Sequence, residues 1–176
     1  MSSRSSCGRA AITTRALATT LADPEQMTST RLDRWMRECG NRGIEGAVVG
    51  LTARTRFAQS KMKKWRKSRQ ELTAAGGWNL LVEIAQADSD LPDTFFTPYL
   101  QEIRETIHEG ENRARYAMNN AVIAIGGRSP ALRKRAIAAA RKIGPVDVDY
   151  GETGCKTPDA VPYIERIWED KTRKTT

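Results

Sequence analysis

The sequence predicts an all-α protein, and three features of its 176 residues support this prediction. Aromatic residues make up only 6% of the chain, while Ala, Arg, Ile and Leu are frequent, which favours helices over sheets. Proline, glycine and capping residues divide the chain into about eight short segments with helical spacing of apolar residues. No two segments read as a pair of strands. The length suits one domain with its own core.

Four helices are predicted in the first part of the chain, separated by polar, glycine or proline breaks. They are Arg9–Leu21, Thr30–Cys39, Ile44–Leu51 and Arg56–Lys67. Ser29 is expected to cap the second, which places Leu32, Trp35 and Met36 on one side. The fourth carries a narrow apolar stripe on an otherwise basic surface. The residues of that stripe are Ala58, Met62 and Trp65.

The remaining helices begin at recognisable capping residues. They are Arg69–Gln86, Phe95–Glu109, Arg113–Ile125, a helix from Pro130 to Gly144, and a terminal helix from Pro158. Ser68, Ser129 and Thr157 are the expected caps. The inward-facing residues of the sixth and seventh helices follow from their spacing. They are Phe96, Tyr99, Leu100, Ile103 and Ile107, then Ala114, Met118, Ala121, Val122 and Ile125. Residues 146–156 are predicted to be extended or turn-like.

The arrangement of these helices does not follow from periodicity alone. Helix pairs spaced about forty residues apart suit HEAT-like stacking, in which each pair buries its apolar face against its neighbours. A compact helical bundle fits the same segments equally well, because the similarity between successive pairs is weak.

The net charge of +8 is distributed unevenly. Residues 1–75 hold fifteen Lys and Arg against six Asp and Glu, whereas residues 76–176 hold fourteen against fifteen. The whole positive excess therefore lies in the first part of the chain. Charge segregated in this way creates a directional field that attracts polyanions.

The most basic stretch is residues 54–69, which contain eight cations and no acid. They are Arg54, Arg56, Lys61, Lys63, Lys64, Arg66, Lys67 and Arg69. With Met62 and Trp65 inward, most of these cations must face solvent, where phosphates are their natural partners. Arg113 and Arg115 extend the predicted DNA-binding set, although Glu109 and Glu111 lie beside them. The simpler alternative is a solvated helix face, but such faces normally mix charges of both signs.

No metal, cofactor or membrane is expected. No apolar run approaches the roughly 20 residues that cross a bilayer. Cys7, Cys39, Cys155 and the single histidine, His108, lack the spacing of a zinc site, and the scattered thiols indicate a reduced, cytoplasmic setting. The acids Asp147, Asp149 and Glu152 fit no calcium loop. We expect His108 to cap a helix end, the Cys155 thiol to be packed, and Asn119 or Asn120 to bond to an adjacent loop.

Four stretches together resemble the DNA alkylation-repair (AlkD-like) family. They are ATTLADPEQMTSTRLDRW at 18–35, KWRKSRQELTAAGGW at 64–78, RARYAMNNAVIAIGG at 113–127 and KIGPVDVDYGETGCKTPDA at 142–160. The resemblance covers roughly Arg15 to Trp168. It implies a right-handed HEAT-like, armadillo-type superhelix whose basic concave face lies along duplex DNA, and active members of the family excise alkylated purines.

The residues that carry catalysis in that family are missing from the matching positions. Alignment on Leu32-Asp33-Arg34-Trp35 places the family's Trp-Asp-x-x-Asp run over residues 42–46, where neither aspartate position holds an acid. Glu45 is one residue out of register. It is a weak candidate for a catalytic carboxylate, and we expect it to be a plain surface glutamate. The family's following arginine falls on Ala75-Gly76-Gly77. We therefore expect base excision to be lost.

The first residues are rich in Ser and Arg, with no acid before Asp23. This composition fits an organelle transit peptide or a chain that starts late. We expect the second, because members of the resembled family carry further helices before the turn at Ala22-Asp23-Pro24. Residues 1–14 are accordingly predicted to be flexible or outside the native start. Residues 15–170 are predicted to form a single HEAT-like domain, and residues 171–176 a basic tail.

These features predict sequence-independent binding of duplex DNA through a basic face, with doubtful base-excision activity. The alternative is a non-catalytic HEAT-like scaffold that binds another protein, because extended helical repeats offer surfaces to either partner. The two differ in salt dependence. DNA would engage the whole basic stretch, whereas an acidic protein needs only a local counterpart.

Overall fold

The computed structural model describes residues 17–87 and 90–175, and all regular structure in these ranges is helical, as predicted. Residues 17–21 are helical, and eight α-helices follow. They are α1 (Ser29–Arg37), α2 (Arg42–Ala53), α3 (Ala58–Trp65), α4 (Glu71–Gln86), α5 (Asp93–Thr106), α6 (Asn112–Gly126), α7 (Pro130–Ile143) and α8 (Ala160–Thr175). Short 3-10 helices occur at Pro24–Gln26 and Ile107–Glu109. None of the helices in the described ranges is long and apolar enough to span a bilayer.

The chain separates into two compact units, one up to Leu80 and one from Leu81 onward, so that α4 contributes to both. The prediction of one domain over residues 15–170 stays a prediction. The predicted segment 1–14, Cys7 and most of the predicted first helix lie outside the described residues.

Helix starts in the first unit differ from the sequence prediction by one or two residues. Thr28, not Ser29, caps α1, because its Oγ1 accepts the N–H of Arg31 at 3.2 Å. Asn41 caps α2 through the N–H of Ile44 at 3.1 Å, and Gly40 turns the chain ahead of it with φ +69°. Likewise, Ser68 Oγ accepts the N–H of Gln70, and α4 begins only at Glu71.

The core of the first unit is built around close backbone contact between α4 and the end of α3. A Cβ on Gly77 would lie 2.1 Å from the backbone nitrogen of Arg66, so only glycine fits there. The predicted inward residues Met62 and Trp65 are buried, whereas Trp35 is only half-buried. The Gly76-Gly77 pair that interrupts a good helix-forming sequence is thus explained by packing.

In the second unit, α6 is the central helix and packs against α5, α7 and α8. Its residues from Ala117 to Ala124, apart from Asn120, are buried on all sides, which matches its lack of a polar face. The inward residues predicted for α5 and α6 are all buried, so those predictions are confirmed. Gly126 lets α8 approach, since a Cβ there would meet the Ile164 side chain at 2.7 Å.

Polar side chains close several helix ends in the second unit. Ser129 caps α7, as predicted, by accepting the N–H of Leu132 at 3.1 Å. His108 Nε2 lies 2.9 Å from the carbonyl of Ile143, the last residue of α7, which agrees with its predicted capping role. Asn119 donates to the carbonyl of Pro158 at 2.9 Å, in the loop before α8.

The start of α8 corrects one predicted cap. Asp159, rather than Thr157, accepts the N–H of Val161 at 3.1 Å. Thr157 instead lies 3.2 Å from the Tyr150 hydroxyl within the irregular segment. The helix then continues to Thr175, into the stretch predicted as a basic tail.

Candidate nucleic-acid interface

Helix α3 presents one apolar and one basic side. Met62 and Trp65 are buried, while Lys63 and Lys64 on the opposite side are exposed, and Lys67 follows Lys63 by one helical turn. Six of the eight predicted cations are exposed, and we call them the α3 surface. They are Arg54, Arg56, Lys63, Lys64, Lys67 and Arg69.

Lys61 must be removed from the predicted set of DNA contacts. Its side chain is only 3% exposed, and its Nζ lies 2.8 Å from Asp33 Oδ2 and 2.7 Å from Ser29 Oγ. The ammonium group is therefore part of the core and cannot reach a phosphate. Arg66 is also partly withdrawn, since it is half-buried with its guanidinium 5.5 Å from the Trp78 ring.

Asp33 on α1 holds this basic surface in place. Its carboxylate accepts hydrogen bonds from Lys61, from Lys64 at 2.7 Å and from Trp65 Nε1 at 2.7 Å. Burial alone would raise the pKa of Asp33, but these hydrogen bonds outweigh it and lower the pKa to about 2. Asp33 is thus ionised at neutral pH, and it ties α1 to α3 while cancelling one positive charge.

Helix α1, which contacts α3 through Asp33, carries exposed cations of its own. Arg37 lies one turn after Asp33 on the same side of α1, and both Arg34 and Arg37 are exposed. They lie outside the contiguous basic run of residues 54–69 and were therefore not predicted as DNA contacts. The signal that could have found them is the three-residue spacing of Arg31, Arg34 and Arg37.

The expectation of a surface Glu45 is wrong, because its side chain lies inside the first unit with only 3% exposed. Its Oε1 accepts a hydrogen bond from Asn79 Nδ2 at 3.0 Å, and a Cβ on Gly76 would lie 3.3 Å from the same oxygen. Burial, followed by the charge of Glu45, raises the pKa of the Cys39 thiol. The carboxylate is therefore engaged within the packed interior.

The two arginines proposed from the second unit differ in their surroundings. Arg113 is exposed, whereas the Arg115 guanidinium is only partly exposed. Arg115 Nε donates to the carbonyl of Gly110 at 2.7 Å, and its Nη1 donates to that of Asp147 at 3.1 Å. Arg115 thus holds the irregular segment against α6, which limits its reach to a phosphate.

The remaining candidates are the acids and the cysteine of the irregular segment, residues 146–156. In the part of the chain that the structure describes, no three His, Cys, Asp or Glu side chains come together in a way that could hold a metal ion. Asp149 Oδ1 accepts the N–H of Gly151 at 2.7 Å, as turn residues commonly do. Cys155 is exposed, so the prediction of a packed thiol is wrong, because the segment around it stands out from the helices.

Comparison with known proteins gives both sequence relatives and a structural neighbour. The chain is similar to the uncharacterized protein Lin0241 of Listeria innocua, with 33% identity over 147 residues. It is also similar to the uncharacterized protein Lmo0209 of Listeria monocytogenes, with 31% identity over 147 residues. Each alignment covers 82% of this chain and 63% of the relative, so the chain spans less than two thirds of their length.

One solved structure is similar to this chain, with a TM-score of 0.81 and 23% sequence identity. The alignment covers 89% of this chain and 68% of the chain in that structure. That protein is described as belonging to a new family related to the HEAT-like repeat DNA glycosylases, with affinity for branched DNA structures. The likeness confirms the predicted HEAT-like repeat fold. Residues 10–164 match the family described as DNA alkylation repair enzyme. This chain therefore belongs to the DNA alkylation repair enzyme family.

Proposed function

We propose that this protein binds duplex DNA, independently of base sequence, through the α3 surface. The observation that carries the proposal is a set of six exposed cations within residues 54–69, a stretch without a single acid. The buried pair of Lys61 and Asp33 and the packing of Trp65 fix α3, which carries Lys63 and Lys64, and the other four cations lie in the turns before and after it. The positive charge is thus concentrated at one helix and the turns beside it, instead of being spread over the whole surface of the protein.

Phosphate contact is the chemistry that this surface serves best. Each lysine or arginine that neutralises a phosphate releases condensed counterions, and this release supplies most of the free energy of non-specific binding. The exposed long side chains of residues 54–69 are six cations, a single amide, Gln59, and no carboxylate, so contacts to phosphates outnumber groups that could read base edges. Binding is therefore expected to depend on salt and to ignore sequence.

Base excision is not part of the proposal. The carboxylate nearest to the family's catalytic position, that of Glu45, is buried and bonded to Asn79. The position of the family's following arginine holds Ala75, Gly76 and Gly77. To test this, the purified protein is incubated with a duplex that contains methylated purines, and release of the base is measured. Excision that Glu45→Gln abolishes would overturn the non-catalytic assignment.

The binding proposal is tested by fluorescence anisotropy with a short undamaged duplex at 50 and 200 mM salt. The informative variant is Lys63→Ala/Lys67→Ala/Arg69→Ala, which removes three exposed charges and leaves the Lys61–Asp33–Lys64 contacts intact. The wild type should lose roughly 10²–10⁴-fold in affinity between these salts, as several phosphate contacts require. Each phosphate contact contributes about 0.9 to the slope of log affinity against log salt. Between these two salts the variant should therefore lose up to ~40-fold less affinity than the wild type loses.

A charge-matched control removes three exposed cations from other parts of the chain. It is Lys156→Ala/Arg166→Ala/Lys174→Ala. Arg166 lies on α8 among the acids Glu165, Glu169 and Asp170, where no net basic patch exists. This control should bind nearly as the wild type does. Equal losses in both triple variants, or no wild-type binding at 50 mM salt, would contradict the proposal and direct the search to protein partners.

A second candidate function is preferential binding of branched DNA. It is favoured by the description of the structural neighbour, a protein with affinity for such structures. Competition between a four-way junction and a linear duplex of equal total length tests it. Preference for the junction by at least ~10-fold at equal salt would support this function, and equal affinities would leave only non-specific duplex binding.

A further inference from the structure

A second basic surface lies on α7, in the unit that begins at Leu81. Helix α7 contains five cations and no acid. Two of them are anchored to neighbours, because Arg133 lies 5.6 Å from the Trp168 ring and Arg135 donates to Thr97 Oγ1 at 2.7 Å. The other three are exposed, and we call them the α7 surface. They are Lys134, Arg141 and Lys142.

The geometry of α7 makes this surface open. Lys134 and Arg141 are seven residues apart, so they lie on the same side of the helix, separated by about 10 Å along its axis. The exposed residue between them on that side is small, Ala138, and the other exposed long side chain, Arg135, donates to Thr97. No bulky side chain of α7 therefore stands between these cations and an approaching polyanion.

Helix stability does not account for these charges. Cations in the last turn are favoured by the helix dipole, which explains Arg141 and Lys142. The same dipole disfavours cations near the N-terminus, yet Arg133, Lys134 and Arg135 follow directly after a first turn without an acid. The C-terminal carbonyls also have other partners, among them His108 at Ile143.

Comparison with α8 shows that such a surface is not general in this unit. Helix α8 mixes its cations with three acids, and Arg173 forms an ion pair with Asp170. Its four cations and three acids leave a net charge of +1, against +5 for α7, because exposed helices commonly mix both signs. Counting charges along the sequence conceals the difference, because residues 81–112 hold eight acids against one cation and cancel the charge of α7 in the sum over residues 76–176.

We infer that the α7 surface is a second phosphate-binding surface for duplex DNA, built entirely within this unit. The inference rests on the proposed function, since it assigns further contacts with the same partner. In this proposal the α3 surface and the α7 surface each contribute phosphate contacts. The slope of log affinity against log salt is then the sum of the two contributions.

The test compares four proteins with the same duplex at 50 and 200 mM salt. They are the wild type, the α3 triple variant, the control triple variant, and Lys134→Ala/Arg141→Ala/Lys142→Ala. The α7 variant should bind at least ~10-fold more weakly than the control at 50 mM, with a slope up to about 2.7 shallower than wild type. In a variant that combines the α3 and α7 substitutions, the slope of log affinity against log salt should fall by the sum of the two separate reductions. An α7 variant that binds like the control would overturn the inference.

A local measurement separates contact from a general charge effect. Lysine acylation is mapped by mass spectrometry with and without the duplex. Protection is expected at Lys134 and Lys142, whereas Lys156 and Lys174 should react equally in both samples. Equal reactivity at Lys134 and Lys142 with and without DNA would contradict direct contact, whatever the affinities.

The failures of the two proposals are distinguishable. Loss of binding in the α7 variant alone would refute the α3 surface and leave the α7 surface standing. Loss in the α3 variant alone would do the reverse. A wild type that binds no duplex at 50 mM salt would remove both. Circular dichroism and melting of each variant establish that the comparison is between folded proteins.

Discussion

The contacts of Asp33 allow burial to be tested as the factor that decides the strength of an ion pair. Lys61 and Lys64 approach the same oxygen, Oδ2, at 2.8 and 2.7 Å. Their side chains differ in exposure, with 3% for Lys61 and 66% for Lys64. Because the distances are nearly equal, any difference in the measured coupling must come from the surroundings of the two ammonium groups.

The expected magnitudes follow from these surroundings. Asp33→Asn leaves the Lys61 ammonium buried without a counter-charge, which costs about 3–5 kcal/mol in proteins. The fall in the Asp33 pKa from 3.8 to about 2 corresponds to roughly 2 kcal/mol of stability at neutral pH. We therefore expect Asp33→Asn to lower the free energy of unfolding by about 2–4 kcal/mol. The exposed Lys64 should contribute less than about 1 kcal/mol.

Two double-mutant cycles measure the difference. One combines Asp33→Asn with Lys61→Met, and the other combines Asp33→Asn with Lys64→Met. Urea unfolding is followed by tryptophan fluorescence, which reports directly on this region because Trp65 donates to the same carboxylate. The coupling energy should be about 2 kcal/mol or more for Lys61 and below about 1 kcal/mol for Lys64. Equal coupling energies in the two cycles would refute the reasoning.

The same pair predicts a dependence of stability on pH. The pKa of Asp33 is lower in the folded protein than in the unfolded chain, so its stabilisation is present above about pH 4 and is lost as the pH falls toward 2. The stability difference between wild type and Asp33→Asn should therefore shrink across this interval. A difference that stays constant from pH 5 to pH 2 would contradict the assigned pKa.

Three further predictions concern single positions. Gly77→Ala should destabilise the protein by more than about 3 kcal/mol, because the new Cβ would meet backbone, whereas Gly46→Ala has open space and should be neutral or stabilising by up to about 1 kcal/mol in urea unfolding. Arg128→Lys should cost about 2 kcal/mol in thermal melts, since a lysine cannot bond the carbonyls of Ala85, Ala87 and Leu91 at once; an unchanged melting temperature would contradict this. Alkylation followed by peptide mapping should modify exposed Cys155 quickly and Cys39 slowly, because burial raises the Cys39 pKa; comparable rates would contradict the buried position.

Local sequence signals were sufficient for the fold class and for most helices. Periodic apolar spacing identified the inward faces of α5 and α6 because a regular helix repeats its faces along the chain. The predicted helix starts were less accurate where two residues that can cap a helix are adjacent, as with Thr28 and Ser29. Either hydroxyl can cap a helix; here Thr28 does so, while the Ser29 hydroxyl accepts a hydrogen bond from Lys61 on a distant helix.

Residue identity and order were sufficient to find the basic stretch and the family resemblance, because both depend only on the chain itself. Tertiary structure alone decided which cations face solvent. It buried Lys61 against Asp33 and placed Glu45 in the interior, where the sequence predicts a surface residue. These outcomes depend on which helices pack together, and such contacts join residues far apart in the chain whose pairing no local pattern encodes.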